Sequence, residues 1–272
     1  MTSKPDAFDS LQIDTKTTSA EEPILKLRSV TLTGLDDPTF NMHGVDWELP
    51  SGHLAVIHMN VSQHPRDFAS ALQGIFPVRF GDIQFCGVTW TQSDVALHCQ
   101  RRGEIGRVFE QNAWVNNLNI RENVLLRAQQ LGFAEKQLDE EIERLRSQLE
   151  VPPLSRERPA FVDQPRLQRF QWLRAFIGKP KLLILERPLK ALQSKALAVL
   201  LSAIESLVET GSSVLWFAGT QPEFEFSTRV PCSRWIAGID GIHLAKESVP
   251  AATEPGRKML EEQTQRKEPR DE

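Results

Sequence analysis

Residues 52–76, GHLAVIHMNVSQHPRDFASALQGIF, hold a strand, a turn and a helix in that order. Leu54-Ala55-Val56-Ile57 is a short unbroken apolar run, the pattern of a strand buried on both faces of a sheet. Ser62 and Pro65 interrupt it, and Phe68, Leu72, Ile75 and Phe76 then recur at helical spacing. Pro65 suits the first helical position, where a missing N–H matters least.

The same alternation extends in both directions. Ile24 to Leu32 alternates at period two, as a half-buried strand does. Over residues 134–151, Leu138, Ile142, Leu145 and Leu149 share one face of an amphipathic helix, which Pro152 and Pro153 stop. Leu167 to Ile177 reads as a helix and Leu182-Leu183-Ile184-Leu185 as a second buried strand. Ala196 to Val208 is helical up to Gly211, Val214 to Ala218 is a strand, and Asp240-Gly241 signals a hairpin turn. Repeated strand–helix alternation predicts an α/β domain with a mostly parallel sheet. Residues 1–22, rich in Ser, Thr, Asp and Lys, read as a flexible leader, and 246–272 as a flexible charged tail.

Bulk properties narrow the function. The net charge of -4 offers no overall basic field for nucleic acid or anionic lipid. Cys86, Cys99 and Cys232 are odd in number and far apart, so neither a disulfide framework nor a zinc site is expected. The six histidines show no metal-ligand spacing, and no metal is expected. No apolar run reaches the roughly 18 residues that span a bilayer, and MTSKPDAFDSLQ lacks the order of a secretory signal. A cytoplasmic chain without direct membrane insertion is expected.

In this order and at these intervals, the elements resemble the ATP-binding cassette (ABC) ATPase family over about residues 23–245. Gly52 to Gly74 lie on that family's strand, P-loop and helix without a gap, and Gly81-Asp82-Ile83 and Gly87 on the following hairpin. Gly106-Arg107-Val108-Phe109 resembles the strand before the Q-loop, and Asn119-Ile120-Arg121-Glu122-Asn123-Val124 the segment behind it. Arg169, Arg174-Ala175 and Pro180 fall where the helix after the signature motif and its exit carry those residues. Pro188 follows the Walker B strand, and Pro222-Glu223 fits the segment behind the H-loop. The resemblance implies a P-loop NTPase-like fold with a mostly parallel sheet, an antiparallel β subdomain and a helical subdomain at about 112–175. The Q-loop surroundings also resemble the ABC subunits of Mla-type bacterial lipid-transport systems.

Each position that the resemblance assigns to nucleotide is altered. A P-loop brings backbone N–H groups onto phosphates, with Lys on the β/γ-phosphates and Ser or Thr on Mg²⁺. Its two glycines correspond here to Met59 and His64, with Ser62 between them. Its lysine corresponds to Pro65 and its hydroxyl residue to Arg66, with Asp67 following. The Q-loop glutamine is Glu110, either a metal-coordinating group or a solvated loop acid. The signature serine and glycines are replaced by Val162-Asp163-Gln164-Pro165, which read more simply as a helix start capped by Asp163. The Walker B Asp-Glu is Glu186-Arg187: Arg187 cannot act as a general base, and the two form either a structural ion pair or a residual metal site. The D-loop aspartate is Gln193, and the switch histidine is Gly219 or, after a slip, Gln221. No aromatic for adenine lies near Thr33–Asp36, Phe40 being the nearest.

The resemblance therefore implies a catalytically silent ABC subunit, with no cofactor expected. It would partner a transmembrane permease and a second ABC subunit, lying peripherally on the inner face of the membrane. Trp114, Val115 and Leu118 fall where the permease would dock, Trp114 being either an exposed anchor or a core residue. Two other readings stand beside it. One is a divergent ATPase using Arg66 or Arg187 on phosphate and Glu186 on Mg²⁺. The other is a soluble regulatory module unconnected with transport.

Overall fold

A computed structural model describes residues 22–33, 41–60, 62–91, 94–111, 113–238 and 240–245. The candidate leader up to Glu21, the adenine-stacking stretch with Phe40 and the tail 246–272 lie outside the described residues. Strands β1 (Leu25–Thr33), β2 (Asn41–Leu49) and β3 (Leu54–His58) precede helix α1 (Arg66–Leu72). Next come β4 (Phe80–Phe85), β5 (Val88–Thr89), α2 (Val95–Gly103) and β6 (Ile105–Val108). Three helices follow, α3 (Ile120–Gln130), α4 (Glu135–Gln148) and α5 (Gln164–Phe176). The chain continues through β7 (Leu182–Glu186), α6 (Lys195–Glu209), β8 (Ser213–Ala218), α7 (Gln221–Phe224), β9 (Cys232–Ala237) and β10 (Ile242–Leu244).

The strands form two sheets. One is antiparallel, in the order β2-β1-β4-β5. The other has the order β10-β9-β3-β8-β7-β6, parallel throughout except for the β9–β10 hairpin. Its central strands are buried on both faces, and their side chains alternate between two cores. Val56, Leu183, Leu185, Val214 and Trp216 face the core shared with α3, α4, α5 and α6. Ala55, Ile57, Ile184, Leu215 and Phe217 face the core shared with α1 and the antiparallel sheet. The unbroken apolar runs in the sequence are therefore two alternating sets, each with its own cover.

Local chemistry sets the element ends. Asn119 accepts from the Glu122 amide at 2.9 Å and Glu122 returns the bond to the Asn119 amide at 2.7 Å, a capping box that starts α3. On α4, Leu138, Ile142, Leu145 and Leu149 are all buried, as their spacing predicts. Two details differ from the sequence reading. Pro65 is the cap of α1 rather than its first helical residue. The helix also stops at Leu72, because Gly74 takes a left-handed backbone, φ 64°, and the Gly74 and Ile75 amides close on the Ala71 and Ser70 carbonyls at 2.9 Å each, with Arg102 holding the Gln73 and Gly74 carbonyls at 3.1 and 2.7 Å. Ile75 is consequently 63% exposed rather than on the helix's buried face.

Three arginines of the helical layer act as clamps on backbone carbonyls. Arg169 of α5 binds the carbonyls of Leu149 and Glu150 beyond the end of α4. Arg174 holds Ala113, and Arg127 of α3 joins Ile177 to Gly103. The end of α5 approaches β6 so closely that a Cβ on Gly106 would lie 2.1 Å from the Ala175 carbonyl and 3.1 Å from Pro180. Gly106, Ala175 and Pro180 thus form one contact, which explains why each is small or rigid.

Candidate functional site

The C-terminal ends of β3, β8, β7 and β6 lie side by side, where α/β sheets usually bind ligands. They bring together Met59, Gly219, Glu186 with Arg187, and Glu110. Arg187 occupies the centre. Its Nη2 donates to the carbonyls of Asn60 and Gln63, each at 2.7 Å, and its Nη1 to Glu110 Oε1 at 2.8 Å. The residue has a left-handed backbone, φ 43°, which costs an L-residue about 1–2 kcal/mol. Charge-assisted bonds in a nearly closed site oppose that cost.

Glu110 is the acceptor on which Arg187, Lys190 and His64 converge. Lys190 Nζ lies 3.0 Å from its Oε1 and His64 Nδ1 3.2 Å from its Oε2, while its side chain is only 3% exposed. Burial alone would raise its pKa, but Lys190, His64 and Arg187 together bring it below the ordinary carboxylate value. Glu186 faces a different cation. Its Oε1 accepts from Arg107 Nε, and its Oε2 lies 3.4 Å from the Glu110 amide. Arg107 also reaches Gln73 Oε1 at 2.8 Å, Ser70 Oγ at 3.1 Å and the Arg66 carbonyl at 3.1 Å, pinning α1 to the sheet. Burial pushes the Glu186 carboxyl above its ordinary pKa, and Arg107 offsets this only in part.

The geometry corrects two sequence expectations. Glu186 and Arg187 do not pair with each other: the pleat and the turn after β7 send them apart, to Arg107 and Glu110 respectively. Glu110 is not a solvated loop acid but a buried ionic hub. Of the two switch-position candidates, Gly219 belongs to the site. A Cβ there would lie 2.8 Å from Arg187 Nε and 3.0 Å from its Cδ, so the guanidinium stem fills the space a larger residue would need. Gln221 instead lies exposed at the start of α7, whose Glu223 binds the Gly219 amide at 2.9 Å.

The remaining positions divide clearly. Met59 and Pro65 are buried, Ser62, His64 and Arg66 are exposed, and Asp67 is half-buried in the first turn of α1. Asp163 caps α5 by accepting from the Arg166 amide at 2.9 Å, with Gln164 and Pro165 exposed in its first turn. These three do what a helix start requires. Trp114 is half-buried on the helical core with Arg174 4.6 Å over its ring, while Val115 is 41% exposed and Leu118 half-buried. Arg107, Lys190, Asn60 and Gln63 were not singled out from the sequence. A signal existed only for Arg107: a charge within the buried run Gly106–Phe109 requires a buried partner.

The cluster does not fit Mg²⁺ and a nucleotide triphosphate. The loop after β3 turns two carbonyls toward a cation where a phosphate site needs N–H groups. Glu186 is bound by Arg107, and a guanidinium stands where a general base would be. Among the described residues no group of three or more His, Cys, Asp or Glu is placed to hold a metal, and no helix is long and apolar enough to cross a membrane.

Architecture and site position together define the fold of an ATP-binding cassette domain. It superposes on the dimeric, ADP- and Pi-bound ATP-binding cassette MJ0796 with a TM-score of 0.69 at 15% identity, covering 82% of this chain and 99% of that one. A second solved structure, the ATP-binding subunit of an ABC transporter, gives a TM-score of 0.67 at 18% identity over 79% of this chain and 86% of its own. In sequence the chain is similar to ATP-binding proteins of ABC transporters. HrtA of Staphylococcus haemolyticus, assigned to hemin import, is 21% identical over 209 residues, 76% of this chain and 95% of that protein. The bacitracin export protein BceA of Halalkalibacterium halodurans is 24% identical over 169 residues, covering 62% and 67%. The arginine transport protein ArtP of Escherichia coli is 32% identical over 138 residues, 48% of this chain and 56% of ArtP. No family model matches the chain.

Proposed function

We propose that this chain is a non-hydrolysing cassette subunit of an ABC transport complex. In that complex it supplies shape and contacts to a permease and to a second cassette. The observation that carries the reading is Arg187, whose guanidinium joins the loop after β3, the Q-loop position and the switch position into one closed ionic cluster. A cluster of this kind stabilises the cassette fold without nucleotide. The similarity to import and export ATP-binding proteins supports the transport setting. Permease docking is assigned to the segment around Trp114, Val115 and Leu118, with the helical subdomain spanning about 112–175. The Mla-type resemblance of the Q-loop surroundings makes lipid transport the first system in which to look for the permease.

The test is purification of the tagged full chain from its native membranes, followed by turnover measurements on what is recovered. Recovery of a permease with a second cassette, and turnover unchanged by Glu186→Gln in this chain, is the expected result. A second reading draws support from the relatives, all ATP-binding proteins: a divergent cassette that still binds nucleotide. It requires Arg187 and Glu186 to leave their present partners. Turnover that disappears with Glu186→Gln would establish it and remove the silent-subunit reading.

A further inference from the structure

Two adjacent residues of α5 grip the chain on either side of the Glu110–Arg187 ion pair. Gln171 Oε1 accepts from the Phe109 amide at 3.2 Å, one residue before Glu110. Trp172 Nε1 donates to the Pro188 carbonyl at 3.1 Å, one residue after Arg187. Both side chains are fully buried. A further contact runs through the Phe109 ring, whose centre lies 5.7 Å from the guanidinium of Arg174 on α5 and 4.5 Å from that of Arg107, the partner of Glu186.

These grips answer a need of the backbone. The Phe109 amide lies just past Val108, the last residue of β6 paired with β7, and Gln171 supplies its acceptor. The Pro188 carbonyl lies past the end of β7 and takes its donor from Trp172. A glutamine inside a buried helix face carries a desolvation cost that a hydrogen-bonded partner offsets. With Phe109 and Pro188 held on one support, the segments that carry Glu110 and Arg187 keep a fixed separation, and their side chains meet at 2.8 Å. Arg187 also holds a left-handed backbone, φ 43°. Such a conformation persists only where its surroundings over-determine it, and the anchored Pro188 is one of those surroundings.

We propose that α5 is a bracket that keeps the strand-end cluster closed, with Gln171 and Trp172 as positioning residues for Glu110 and Arg187. A shift of α5 away from the sheet opens the ion pair. Opening the pair loosens α5 in turn, because coupling between two sites is reciprocal. The inference rests on the cluster in the free chain and holds whether or not the cassette also binds nucleotide.

The test uses the full chain without nucleotide and follows carbodiimide labelling of its carboxylates by peptide mass spectrometry. Glu110, with 3% of its side chain exposed, is expected to label slowly. So is Glu223, a buried acid whose partners Gly219 and Thr220 lie outside α5. Gln171→Met keeps the bulk and removes the acceptor. It is expected to speed labelling of Glu110 about tenfold by local opening and to leave Glu223 unchanged. Trp172→Phe, which removes the indole N–H, is expected to act in the same way. Asp163→Ala weakens the cap of the same helix without touching either grip, and leaves Glu110 slow. Should neither grip variant fold, native-state exchange in the unaltered chain decides. The Phe109 amide and the Trp172 indole N–H are expected to open with the same urea dependence as Glu110 labelling, and different dependences overturn the proposal. Glu110 labelling unchanged in both variants also overturns it, as does a rise shared equally by Glu223, which marks general loosening.

Discussion

Arg187 has a strained backbone and a side chain that serves three loops at once. Arg187→Ala removes the cation and leaves the Asn60 and Gln63 carbonyls without it, so urea unfolding is expected to show a loss of about 3 kcal/mol. Gly219→Ala places a methyl against the Arg187 stem and is expected to cost about 2 kcal/mol. That cost should largely vanish in the Arg187→Ala background, because the obstructing atoms are gone; a double-mutant cycle measures the difference. Glu110 carries the pH dependence. Its pKa is depressed in the folded state, so its contribution is present above the ordinary carboxylate value of about 4.3 and lost as pH falls through the folded value. Glu110→Gln is therefore expected to show a shallower acid loss of stability below pH 5 than the unaltered chain, read by thermal melts across pH. Glu186, raised by burial, has the opposite sign: its contribution is present below that ordinary value and fades as pH rises through the folded one.

At the scale of elements, sequence and structure agree where every member of a periodic apolar set is buried, and part company at Ile75, which lies past the end of α1. The face Leu138–Ile142–Leu145–Leu149 and the runs at Leu54 and Leu182 are of the first kind, since burial of every member leaves one arrangement. The site was legible by position but not by contact. Glu186, Arg187, Gly219 and Glu110 were marked as belonging together, but the crossed pairing with Arg107 and Glu110 depends on strands distant in sequence. Spacing carries no information about which cation reaches which acid. Asp163 shows the reverse case, a local reading that needed nothing distant. Asp163→Ala is expected to lower stability by about 1 kcal/mol through loss of the α5 cap, measured by urea denaturation. Gly106→Ala drives a methyl into the Ala175 carbonyl, separating β6 from α5.

Across the whole molecule, the two cores and both sheets build the fold of an ATP-binding cassette, and the strand ends hold an ionic cluster. Architecture and site chemistry depend on different residues. The alternating apolar sets build the sheet, and Met59, Pro65, Glu110, Arg187 and Gly219 lie only at its edge. The most direct test of this account is calorimetric titration of the full chain with ATP, with and without Mg²⁺, to millimolar nucleotide. The account expects no Mg²⁺-dependent saturable heat, because Arg187 and Glu186 are already committed to Glu110 and Arg107. Saturable binding that requires Mg²⁺ and is altered by Glu186→Gln would contradict it.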